Sequence, residues 1–200
     1  PSPEITGYKN PPEGLLNSQK FREGYAILGK LNLSFDAWLY HTQIYELVDL
    51  ANTFPEIPII MDHIAGPIGI GPYTNKQNQA FEEWSKGIRE WSKGISELAN
   101  CENVCIKLGG FGMPLDGRDW HNKKAPPTST ELAKAMAPYY EHCIESFGVD
   151  RCMFESNLPV DKLTTSYTIL WNTFKRVSQS YTTSEKSALF RDTARSTYRI

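Results

Sequence analysis

The chain has no apolar run approaching the ~20 residues of a membrane-spanning helix, so a helical span is not expected. It has no excess of charge: the formal net charge of −2 over 200 residues gives no long-range field toward nucleic acid or an anionic membrane. Histidine is scarce, with four in all, and no two stand at i, i+2 or i, i+4, so a complete zinc site is not visible. No Gly-x-Gly-x-x-Gly or Walker A loop is present, which speaks against nucleotide binding. The absence of a Gly-x-Ser-x-Gly elbow speaks against a serine hydrolase. The first residues, PSPEITGYKN, lack a charged start and an apolar centre, so no signal peptide is expected. The four cysteines read as buried free thiols of a reducing compartment rather than disulfides or zinc ligands. A cytoplasmic protein is the expectation.

What is present is a rhythm. A loose lead-in, residues 1–14, precedes a helix over 15–28 that Gly29 stops, then a strand over 31–39. A helix over 42–54, a strand IPIIMD ending at His63, and a glycine- and proline-rich loop over 64–75 follow. The helix expected over 76–100 holds a tandem repeat, WSKGIRE then WSKGISE; seven residues is nearly two turns, so the second copy keeps the same face buried. Its two glycines each cost about 1 kcal/mol relative to alanine. Then come the strand NVCIKL, a long loop over 111–127, a helix over 129–147 and a strand over 151–156. Helices over 162–178 and 184–198 close the chain, the last capped by Thr183 or Ser184 without a capping box. Strand alternating with helix four times implies a parallel sheet with helical crossovers, apolar on both faces. One α/β domain over 1–200 is expected.

The long loops follow strands, and in such folds that side carries the site. The stretch DRCMFESNLPVD organises it, since alternation puts Met153, Glu155 and Asn157 on one face and Asp161 lies past the turn. His63 closes an apolar strand and is the best single candidate for handling a proton or a metal. Asp62 lies on the opposite face and reads as a structural anchor. His41 is open between a site role and a solvated loop residue. Lys107 and Glu155 sit on sequential strands and are expected to be neighbours, able to pair if both face inward, in a structural role as readily as a catalytic one. Trp38 ends the first strand. Trp120 and His121 either close over a pocket or pin their loop, and His142 reads as surface.

The runs FDAWLYHTQIYELVDLANTFPEIPIIMDHIAGPIGIGPY, NVCIKLGGFGMPL and DRCMFESNLPVDK through to ARSTYRI resemble the amidohydrolase-related metal-dependent hydrolases, most closely their lactonase-like branch. The resemblance implies a (β/α)8 barrel of which this chain holds about four parallel units, the second half, incomplete at the N-terminus. It implies water attack on a lactone, ester or amide carbonyl, and zinc or a similar metal in the full-length family. His63 falls at the family's middle-strand histidine, the one metal position that this chain fills. Asn157 falls where the family usually has aspartate, and asparagine neither takes a proton nor binds metal well. Glu155 or Asp161 would then supply the carboxylate, with Trp38, His41, Lys107, Trp120 and His121 toward the small-molecule substrate. Without a His-x-His, metal is expected to be absent or weakly held, and the chain alone to be inactive. The alternatives are a non-catalytic binding or scaffold module, or a half-barrel that self-associates through open strand edges.

Overall fold

The computed structural model describes residue 5, residues 12–73 and residues 86–200. Four strands, β1 (Phe35–Ala37), β2 (Ile59–Met61), β3 (Val104–Leu108) and β4 (Cys152–Phe154), form one parallel sheet in the order β1-β2-β3-β4. The helix α1 (Gln19–Lys30) precedes β1, and α2 (Ile44–Thr53), α3 (Lys86–Ala99) and α4 (Ser129–Phe147) make the crossovers. After β4 come α5 (Tyr167–Val177), α6 (Thr183–Ser187) and α7 (Thr193–Tyr198), the last two joined by a π-helical turn over Ala188–Asp192. This is the partial barrel of four β/α units.

Register sorts the side chains by face, because paired residues of parallel neighbours point the same way. Ala37, Met61, Ile106 and Cys152 align across the sheet and join the helix-covered core. Asp36, Ile60 and Cys105 align on the other face, as do Lys107 and Met153. That face carries an ion cluster. Lys107 Nζ lies 2.6 Å from Asp36 Oδ1 and 2.8 Å from Asp62 Oδ1. Lys107 thus pairs with Asp36 and Asp62 rather than with Glu155 of the neighbouring strand: Asp36 and Asp62 point their carboxylates at the same side of β3, and Asp62 is the anchor expected. The end of α7 lies over this face. The Tyr198 hydroxyl donates to Asp36 Oδ1 at 2.7 Å, and Arg199 Nη2 donates to the Asn32 carbonyl at 2.8 Å.

Several boundaries move for local reasons. Ser18 caps α1 by accepting from the Phe21 amide, and Gly29 lies inside the helix, where an added Cβ would stand 3.2 Å from Ile57. β1 is shorter than expected because Asn32 turns the chain through a left-handed conformation, φ 54°. Of the helix expected over 76–100, residues 76–85 lie outside the described residues, as does the lead-in apart from Ile5 and residues 12–14. Helix α5 begins at Tyr167, five residues later than expected, capped by Ser166. Thr182 caps α6 with a full capping box to Glu185, one frame before the Thr183 or Ser184 expected. All four cysteines are free and three are buried, and burial pushes their thiols up. His142, expected at the surface, is half-buried: it packs between α4 and α3, its Nε2 3.0 Å from the Ser92 carbonyl. Among the described residues no helix is long and apolar enough to cross a membrane.

Candidate active site

Residues that follow β2, β3 and β4 meet at one rim. His63 follows β2 and Glu155 follows β4; His63 Nδ1 contacts Glu155 Oε1 directly, and the His63 amide donates to the same oxygen at 3.2 Å. A carboxylate only accepts, so Nδ1 carries the proton and Nε2 is the nitrogen left to take one. Burial alone would lower the His63 pKa, but Glu155, with Asp62 and Asp161, outweighs it and holds the imidazole above its ordinary value.

The second pair lies beside the first. Asn157 does not continue the alternation of β4: the strand ends at Phe154, and Asn157 adopts φ 46°. Its Nδ2 donates to Asp161 Oδ1 at 2.8 Å. Asp161 is fully buried, and among the described residues its Oδ2 has no hydrogen-bond partner. Burial pushes the Asp161 carboxyl up to about 6, against the hydrogen bonds from Asn157 and the Gly112 amide.

The glycines after β3 make this approach possible. A Cβ on Gly109 would stand 2.2 Å from Glu155 Cγ, one on Gly110 2.5 Å from His63 Cβ, and one on Gly112 2.8 Å from Asp161 Cβ. Three glycines of the run GGFG thus each press on a different candidate residue. The sequence signal for this approach is three glycines within four positions after a strand.

His63 also opens a turn of unusual backbone. His63, Ile64, Ala65 and Gly66 have φ of 54°, 49°, 58° and 39°. The left-handed region costs a non-glycine residue about 1–2 kcal/mol, and more for β-branched isoleucine. Contacts around the turn offset that cost. The Trp91 indole donates to the Ile64 carbonyl at 2.7 Å, and His41 Nδ1 accepts from the Ile68 amide at 3.1 Å. His41 is therefore not a solvated residue; it is 4 % exposed and braces the loop from below.

Beside His63 a small cavity of about 10 Å³, room for one water, is lined in part by Gly110, Phe111 and Asp116. The loops after β2 and β3 wall it and interlock: the Gly69 amide donates to the Leu115 carbonyl at 2.7 Å, and a Cβ on Gly117 would stand 2.2 Å from the Gly69 carbonyl oxygen. Asp116 pairs with Arg118 at 3.1 Å, and the guanidinium stacks over Phe111, Trp120 and Tyr139. Trp38 stands at the rim, 44 % exposed, its ring 6.0 Å from that of His63. Trp120 and His121 contact Arg118, Lys123, Asp119 and Asn122 of their own loop. Lys107 is held in the ion cluster of the sheet face.

A parallel β/α sheet with its polar residues gathered beyond the strand ends defines a barrel-type site. The chain belongs to the amidohydrolase family, whose model matches residues 6–200. It is 36 % identical over 193 residues to the uncharacterized protein y4mH of Sinorhizobium fredii, covering 96 % of this chain and 56 % of that protein. Among solved structures it resembles an amidohydrolase from Burkholderia multivorans with bound zinc, at TM-score 0.76 and 22 % identity, over 94 % of this chain and 60 % of that one. It also resembles a proposed 2-pyrone-4,6-dicarboxylic acid hydrolase from Pseudomonas putida, at TM-score 0.64 and 17 % identity, over 95 % and 59 %. The chain thus spans somewhat over half the length of these relatives.

Proposed function

We propose that this chain supplies part of a hydrolytic site at which water attacks a lactone, ester or amide carbonyl, with the His63–Glu155 pair handling the proton. The observation that carries this reading is the contact of His63 Nδ1 with Glu155 at the rim. Glu155 fixes the imidazole and raises its basicity, leaving Nε2 to take the proton of an attacking water. Asp161, titrating near neutrality, is the group that can return a proton to the leaving oxygen. Asn157 spends its amide on Asp161 and holds that carboxyl in place. The Pseudomonas putida relative supports the lactone class, since a 2-pyrone is a cyclic ester.

The relative from Burkholderia multivorans holds zinc. A resident zinc does not fit the donors described here. His63 offers one nitrogen, Nε2, and among the described residues no group of three or more His, Cys, Asp or Glu side chains is placed to hold a metal ion. We expect negligible turnover from this chain alone. Millimolar lactones or their hydroxy-acid products should shift the His63 ring resonances in NMR. If no lactone, ester or amide perturbs them, the reading fails. Stoichiometric zinc with brisk turnover that His63→Ala removes would overturn the expected inactivity.

A second reading has its own support. Among the described residues β1 and β4 are each bonded on one side only within the sheet, the condition that invites a partner. A half-barrel completed by association, or a non-catalytic module, follows from that. Light scattering separates them: a well-folded monomer argues against completion by a partner.

A further inference from the structure

The repeat WSKGI has no place in the chemistry above, yet its second copy reaches the site. Trp91 is completely buried on α3, and its indole N–H meets the carbonyl of Ile64 at 2.7 Å. That carbonyl belongs to the left-handed turn over residues 63–66. Inside the turn, the Ala65 amide donates to the Asp62 carbonyl at 3.1 Å and the Gly66 amide to the His63 carbonyl at 2.9 Å. At the far end the His41 amide reaches the Gly66 carbonyl at 3.4 Å. Between these, the Ile64 carbonyl is the one that the indole takes.

We propose that Trp91 is a positioning residue for His63: its indole N–H locks the Ile64 carbonyl, and thereby the left-handed turn that sets the imidazole on Glu155. Tryptophan suits the post because it fills a large apolar volume and brings one donor to a fixed point. Phenylalanine would fill much of that volume and bring no donor. Three features of the repeat then have distinct tasks. Trp91 holds the turn; Ile95 is fully buried in the core; and Gly94 lets α3 close on α2, since a Cβ there would stand 3.0 Å from Ile44. The functional meaning of this role rests on the His63–Glu155 reading; its structural test does not.

The test compares Trp91→Phe with Ile95→Ala, a core deletion one turn further along the same helix that removes no hydrogen bond. The readouts are the low-field imidazole Nδ1 proton of His63 in NMR, amide exchange at Ala65 and Gly66, and the melting temperature. Trp91→Phe is expected to melt cooperatively, to lose the low-field proton and to exchange those two amides at least tenfold faster. Ile95→Ala is expected to lower the melting temperature by as much while keeping the proton. Should Trp91→Phe not fold, benzothienylalanine at position 91 replaces only the N–H by sulfur and carries the same expectation. An unchanged proton signal and unchanged exchange in the Phe or benzothienyl chain, or equal loss in Ile95→Ala, would reduce Trp91 to core filling. Failure of every chain, the parent included, to bind a lactone would sink the catalytic reading and leave this result standing.

Discussion

Asp161 sets the clearest test at a single residue. Its folded carboxyl titrates at about 6 against an ordinary 3.8, so the folded chain keeps the proton longer than the unfolded one. Stability from this group is therefore fullest below pH 4 and falls as pH rises through 4–6, by about 3 kcal/mol in all. His63 adds a loss of the same sign at higher pH: its raised pKa favours folding below about 6.5, and that contribution fades as pH climbs through the folded value. Asp161→Asn should accordingly raise the unfolding free energy measured in urea at pH 7.5 by roughly 1–3 kcal/mol and change it little at pH 4. The glycines give a paired test. Gly110→Ala combines φ 73° with a Cβ driven into His63, and should lose roughly 1–3 kcal/mol and displace the imidazole. Gly14→Ala has φ 67° in the left-handed region but nothing within 4 Å, so it should show only the strain of about 1 kcal/mol. Chemical denaturation of the two side by side separates crowding from backbone strain.

At the level of elements, the caps carry the measurable increments. Thr128 and Glu131 form a reciprocal box at the start of α4, with the Thr128 amide 2.8 Å from Glu131 Oε2. Thr128→Ala should cost about 1 kcal/mol in a thermal or urea melt. Gly94→Ala runs against propensity: alanine favours a helix interior by about 1 kcal/mol, yet the added methyl meets three carbons of Ile44, so net destabilisation is expected. Helix α4 was legible to the residue because an unbroken apolar periodicity begins beside a threonine with glutamate three positions on. The last helix was misjudged by one frame because Thr182, Thr183 and Ser184 are all able to cap and only the geometry of Glu185 selects among them. β1 was overestimated because Leu31 and Leu33 look like strand residues but are exposed in the turn that leads into it.

Across the whole molecule, the alternation of apolar segments and helices was enough to give a parallel sheet and the rim on which His63, Glu155 and Asp161 gather. It was not enough to pair them. Lys107 faces Asp36 and Asp62 rather than Glu155, a choice fixed by which carboxylates lie nearer on the same face, and no spacing in the sequence records it. That cluster links β1, β2, β3 and the end of α7, so Lys107→Met should leave two carboxylates without their cation. A loss of roughly 2–3 kcal/mol in urea unfolding is expected, less than the 3–5 kcal/mol of a fully enclosed pair. Replacing Asp36 and Asp62 by asparagine in the same chain should restore part of it. The interlocked glycines at 69 and 117 bear on how such a cavity could change over generations. With each backbone seated where the other's side chain would go, neither wall can lengthen or shift by itself. Remodelling this pocket for a different molecule would take matched changes in both segments, so sequence variation there should come in pairs.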